Sequence, residues 1–89
     1  MVERVLVSVT DRERQLLLER VQLRPRIRAI VESARKGARG WGITVAAKDA
    51  GEIRDCCGTT LAAIGFDEHY APTRDGLLLE SMIDKFFTG

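Results

Sequence analysis

The stretch RVLVSVTDRERQLLLERV, residues 4–21, changes its hydrophobic period in the middle, and that change organises the chain. Val5, Val7 and Val9 alternate with Leu6 and Ser8, the period of two that belongs to a strand with one buried face. Residues 4–9 are therefore read as the first strand. Thr10 stands three residues before Glu13, so its hydroxyl can accept from the Glu13 amide while Glu13 reaches back to the Thr10 amide, a capping box. A helix starts there, carries Leu16, Leu17, Leu18 and Val21, and is expected to run to about residue 22. Pro25 suits the first turn of a second helix, where its missing donor is harmless, and Ile27, Ile30, Val31 and Ala34 form that helix's apolar stripe. Gly37 and Gly40 read as its stopping points, with Arg35, Lys36 and Arg39 gathered where the negative helix end favours cations.

The pattern then begins again. Trp41, Ile43 and Val45 alternate with Gly42, Thr44 and Ala46, giving a second strand over roughly 41–46. Ala50, Ile53, Cys57, Leu61 and Ile64 follow at spacings of three and four, a long amphipathic helix from about Ala47 that should end at Gly65. Phe66 after that glycine is the hydrophobic contact of a Schellman stop. Thr73 caps a last helix whose apolar face is Leu78, Leu79, Met82, Ile83 and Phe86. The fold class expected is helix-rich α+β: four helices and a short two-stranded ribbon in the order β-α-α-β-α-α. Residues 1–89 read as one small domain with a weak internal repeat, about 4–40 against 41–88, because VSVTDRERQLL lies over ITVAAKDAGEI at an offset of 36 residues. Both strand senses are open, since a two-helix crossover is long enough for a parallel pair. Two strands alone are marginal in water, so they must pack on helices or extend through a second copy, and edge pairing in a homodimer is the simplest way to do so.

Composition narrows the class of function. With 89 residues, 45% apolar content and no apolar run near the roughly 18 residues of a membrane span, the chain reads as a single non-membrane domain. MVERVLVSV carries acid and Arg where a secretion signal needs a clean apolar stretch, and Cys56 and Cys57, adjacent in sequence, cannot staple a long loop. A reducing, cytoplasmic setting fits both. The net charge of +1 conceals a division: residues 1–45 hold ten Arg/Lys and five Asp/Glu, residues 46–89 four and eight. The densest basic stretch includes Arg24, Arg26, Arg28, Arg35, Lys36 and Arg39. These six are the candidate contacts for nucleic acid or an acidic partner. Pairing between the two halves, or between two copies, is the simpler account and the favoured one.

Nothing in the sequence assembles a catalytic set. Adjacent helical cysteines point about 100° apart, and a metal would want ligands beyond His69 and nearby acids such as Asp55, so small apolar packing is expected of Cys57, with Cys56 at the flank of the stripe. His69 lies in a polar loop, and Ser8, Ser33 and Ser81 lack a nucleophile-elbow pattern. Asp67, Glu68, Asp75, Glu80 and Asp84 lack the spacing of a calcium loop. GARGWG, residues 37–42, is glycine-rich beside basic residues, yet it closes a helix and opens a strand, the reverse of a phosphate loop, and reads as a helix stop. Trp41 shares the buried alternation and is expected to anchor the core. Gly51 and Gly58 each cost about 1 kcal/mol in a helix interior, and close approach of another helix, from this chain or a second copy, is the expected compensation.

From Ile53 onward, IRDCCGTTLAAIGFDEHYAPTRDGLLLESMIDKFF resembles short uncharacterised bacterial proteins that share a helix, then GFDE-x-Y-x-P-T, then a G-x-x-L-E-x-x-I-D helix. The resemblance covers roughly the C-terminal 40% of the chain. It implies a small helical domain with Gly65, Phe66, Tyr70, Pro72, Thr73, Gly76 and Leu79 as framework positions, Phe66 and Tyr70 plugging the helix base. It implies no activity. The functional expectation is a small non-catalytic interaction module, self-associating or bound to a protein partner, with no metal, cofactor or membrane. The alternative is a nucleic-acid-binding protein that uses the Arg-rich second helix. A small enzyme is the remaining class, and it lacks a convergent acid, base and nucleophile.

Overall fold

In the computed structural model, which describes residues 3–87, strand β1 (Arg4–Val9) pairs antiparallel with strand β3 (Gly40–Ala46). Val5 lies opposite Val45, Val7 opposite Ile43 and Val9 opposite Trp41, so the inward sets of both alternations meet on one face. The strand sense left open by connection length is thereby antiparallel. The ribbon, however, has a third strand. Arg35–Gly37 forms β2, antiparallel to β3 on its other side, and the sheet order is β1-β3-β2.

This corrects the expected two-stranded ribbon and its order: with the intervening helices α1 (Asp11–Glu19) and α2 (Pro25–Glu32), and α3 (Ala47–Ile64) and α4 (Arg74–Lys85) after the sheet, the chain runs β-α-α-β-β-α-α. α2 stops at Glu32 with Ser33 as its C-cap, before the glycines are reached. Gly37 pairs with Gly40 across the two-residue turn Ala38–Arg39, so GARGWG is a hairpin and not a helix stop. Gly40 has φ of 121°, and a Cβ there would collide with the Val9 carbonyl where the hairpin passes the end of β1.

The capping box forms as expected. Thr10 Oγ1 accepts from the Glu13 amide at 3.1 Å, and Glu13 Oε1 accepts from the Thr10 amide at 2.8 Å. α1 ends at Glu19, short of residue 22, yet Val21 still enters the core. Pro25 opens α2 and Ala47 opens α3 as read. The helices close over the inner sheet face, burying Val7, Val9, Leu17, Ile27, Val31, Ile43, Ile53, Leu79, Met82 and Phe86 in one cluster. The opposite face, bearing Leu6, Ser8, Gly42 and Thr44, is not part of that cluster.

The turn between α3 and α4 differs from expectation. Gly65 has φ of −76°, right-handed, so no Schellman stop forms, and Phe66 and Tyr70 are 43% and 88% exposed instead of plugging the helix base. Glycine is required at both positions for different reasons: a Cβ on Gly65 would meet the Leu61 carbonyl of its own helix, and a Cβ on Gly76 would land on the Gly65 backbone. Thr73 locks that approach, its amide donating to Gly65 O at 2.8 Å and its hydroxyl donating to Ile64 O at 3.1 Å while accepting from the Gly76 amide at 2.9 Å.

Gly51 and Gly58 show the opposite situation, because a Cβ at either would meet nothing within 4 Å. Close approach of a helix of the same chain does not explain them. Gly51→Ala and Gly58→Ala should each raise stability by about 0.5–1 kcal/mol through helix propensity alone, read by urea denaturation. A loss at either site would mean that the open face is needed as glycine.

Candidate functional site

Strand β1 is an edge strand, and its free side can be derived from the ladder. The Ala47 amide donates to Glu3 O at 2.9 Å, so Glu3 and Ala47 are a hydrogen-bonded pair, and Val5, Val7 and Val9 continue that set toward β3. The N–H and C=O groups of Arg4, Leu6 and Ser8 then point the other way. The same parity on β3 turns Gly40 and Gly42 toward β2, where they are paired with Gly37 and Arg35. Among the described residues, no further backbone or side-chain hydrogen bond reaches the amides or carbonyls of Arg4, Leu6 or Ser8. Leu6, in the middle of this row, is 70% exposed. A groove of about 540 Å³ on the same outer face runs from Leu6, Gly42 and Thr44 to Ile30, Ala34 and Arg35.

The basic residues separate into two groups. Arg24, at the N-cap of α2, grips Glu52 with two hydrogen bonds of 2.8 and 2.6 Å, and Arg26 grips Asp49 at 3.0 and 2.8 Å. Both pairs tie an arginine of the basic first half, at the start of α2, to an acid on α3 in the second half. The hydrogen bonds from Arg26 hold the Asp49 carboxyl below its ordinary range, those from Arg24 do the same for Glu52, and each guanidinium is raised in turn by its carboxylate. Arg28 turns to its own helix partner Glu32 at 3.7 Å and to the Leu18 carbonyl.

Arg35, Lys36 and Arg39 are not on the second helix at all. Arg35 and Lys36 lie in β2 and Arg39 in the turn, all three exposed, and among the described residues none is within salt-bridge distance of an acid. Trp41 sits between this hairpin and α1, half-buried against the core. Its indole N–H donates to Asp11, the Arg14 guanidinium lies 4.0 Å from the ring centroid and Lys36 Nζ lies 5.9 Å away. Both the ring and its N–H are therefore engaged within the fold.

The remaining chemistry-bearing groups are dispersed. Cys57 is fully buried, and burial pushes its thiol up to about 12; Cys56, half-buried beside it, is also raised, first by burial and then by Glu52 and Asp55. Neither has the lowered pKa of a nucleophilic thiol. Among the described residues no three His, Cys, Asp or Glu side chains gather as a metal site would require, and no helix is long and apolar enough to cross a membrane. His69 is exposed in a loop shaped by Asp67, whose Oδ1 accepts from the His69 and Ala71 amides.

Sequence reasoning missed two residues. In the sequence Leu6 is one member of an alternation, and its place at the centre of an open edge follows only once β1 is known to have β3 on one side alone. Glu13 is a cap, as the sequence predicts, but it is also 1% exposed and bonded to Lys85 Nζ at 2.6 Å, 72 residues along the chain. A T-x-x-E box carries no signal for that second partner. Comparison with known proteins adds no relative, since no family model, curated protein or solved structure matches this chain.

Proposed function

We propose that this domain is a small non-catalytic interaction module that self-associates in a reducing, cytoplasmic setting. The observation that carries this reading is the open edge of β1, a row of backbone groups without a partner among the described residues and with an exposed leucine at its centre. An unpaired strand edge is a template for another strand. The dispersal of Cys56, Cys57, His69 and the acids supports a binding role over a catalytic one. Size exclusion with light scattering at high micromolar concentration should give about twice the 9.9 kDa of the chain. A mass near 10 kDa would overturn the reading.

A second reading, nucleic-acid binding, draws its support from the β2–β3 hairpin instead of α2. Arg24 and Arg26 are engaged by Glu52 and Asp49, whereas Arg35, Lys36 and Arg39 lie on a short β-ribbon, exposed and without acidic partners among the described residues. On the proposed reading, labelled random single- and double-stranded DNA and RNA should show no anisotropy change at low salt. Binding that weakens steeply with salt, and that is lost on joint Arg35→Ala, Lys36→Ala and Arg39→Ala substitution, would put the second reading first.

A further inference from the structure

Resting on the reading that the module self-associates, we infer that the dimer forms by antiparallel pairing of β1 with its own symmetry copy, Leu6 opposite Leu6 and Arg4 opposite Ser8, joining two sheets into one. The ladder fixes which registers are open. Within β1, Arg4, Leu6 and Ser8 turn backbone groups to the free side, so a two-fold pairing must match these positions with one another. Centring on Arg4 sets two guanidinium groups face to face. Centring on Ser8 carries Arg4 past the end of the partner strand, and centring on Val5 or Val7 leaves one of the three outward residues beyond the strand. Centring on Leu6 uses all three in both copies.

Both faces of the joined sheet agree with that register. On the outer face the two Leu6 side chains, 70% exposed in the single chain, become neighbours, and the one charge of the strand, Arg4, meets a hydroxyl instead of its own copy. On the inner face Val5 comes opposite the partner's Val7, which extends the row of inward valines without a break. β1 carries no proline and no inward-pointing charge, two of the devices that close an edge against pairing, and its one edge charge, Arg4, lies at the strand's end. The sequence of the edge is self-complementary about Leu6. That favours a second copy as the occupant over an unrelated strand.

The test joins mass and cross-linking. A hydrogen-bonded antiparallel pair holds its Cα atoms about 5.5 Å apart, within disulfide reach, so a Leu6→Cys protein should form a covalent dimer on mild oxidation. A Ser8→Cys protein should not, because its two thiols lie four residues out of register, roughly 13 Å apart. The unsubstituted chain, with Cys56 and Cys57, gives the background for both. Leu6→Lys, with an unchanged far-ultraviolet circular dichroism spectrum, should weaken dimerisation at least about tenfold by placing two ammonium groups where two leucines met. A dimer that survives Leu6→Lys and is not trapped by Leu6→Cys would overturn the β1 register and leave the self-association reading standing. A protein of about 10 kDa at high micromolar concentration overturns both.

Discussion

Gly76→Ala should remove about 3 kcal/mol of stability, lowering the melting temperature of a domain this size by roughly 15 °C. The added methyl has nowhere to go. Its nearest neighbours are the carbonyl oxygen, carbonyl carbon and Cα of Gly65, all backbone, and Gly65 is held in place by the Thr73 amide. Relief requires α4 to lift from the end of α3, and α4 brings Leu79, Met82 and Phe86, each fully buried, into the core. Alanine's better helix propensity returns only about 1 kcal/mol, too little to change the sign. Gly51→Ala, with open space around the new carbon, should move stability the other way. Urea denaturation of the two variants in parallel checks the contrast. A Gly76→Ala protein within about 0.5 kcal/mol of the parent would mean that the α3–α4 approach is not as tight as the Gly65–Gly76 contact requires.

The same glycines show how far the sequence could be read. Local rules were sufficient wherever a residue's role is decided by its neighbours in sequence: the capping box of Thr10 and Glu13, Pro25 at the start of α2, Thr73 as a cap, and the inward valines of β1 are all local, and all stand in the structure. Gly65 and Phe66 fit a local rule equally well, but Gly65 stays right-handed, a Cβ on it would meet Leu61 of its own helix, and the long-range approach at this turn falls on Gly76, eleven residues on. The hairpin failed for a related reason. Basic residues followed by glycine suit a helix end as well as a turn, and what decides for the turn is Gly40 passing the Val9 carbonyl, a contact between distant strands. For the candidate site, the charge division between the halves pointed to the internal pairing seen at Arg24 and Arg26, while the open backbone edge centred on Leu6 depended on strand order, which no periodicity encodes.

Lys85→Met should cost about 3 kcal/mol at neutral pH and, more tellingly, reverse the pH dependence that one buried carboxylate contributes. Glu13 has a side chain 2% exposed, and its Oε1 receives both the Thr10 amide and Lys85 Nζ. Burial pushes the Glu13 carboxyl up, but the hydrogen bonds from Lys85 and from the Thr10 amide, with the charge of Lys85, outweigh it and hold the group below its ordinary value of 4.5. A folded pKa below the unfolded one means stability that is present above about pH 4.5 and lost as pH falls through the folded value. Asp49 and Glu52, lowered by their arginines, act in the same direction, so the parent protein should weaken on acidification below about pH 5. Removing Lys85 takes away both its hydrogen bond and its charge and leaves the buried carboxylate with the Thr10 amide and the smaller contribution of Ser81, so that burial, the largest single influence, is expected to dominate. The folded pKa of Glu13 rises above the unfolded value, so the variant's stability from this site is present at low pH and lost as pH climbs through the raised pKa. The magnitude follows from breaking a buried pair at one end, taken at the low end of its range because Lys85 is 35% exposed. The gap between parent and variant should therefore be widest near pH 7 and close toward pH 4, as read from urea denaturation across that span. Glu13→Gln in the Lys85→Met background separates charge from packing: with no carboxylate left to bury, it should recover part of the loss at pH 7 and none at pH 4. A gap between parent and Lys85→Met that stays constant over the whole span would mean that Lys85 acts through its packed stem and not through its charge on Glu13.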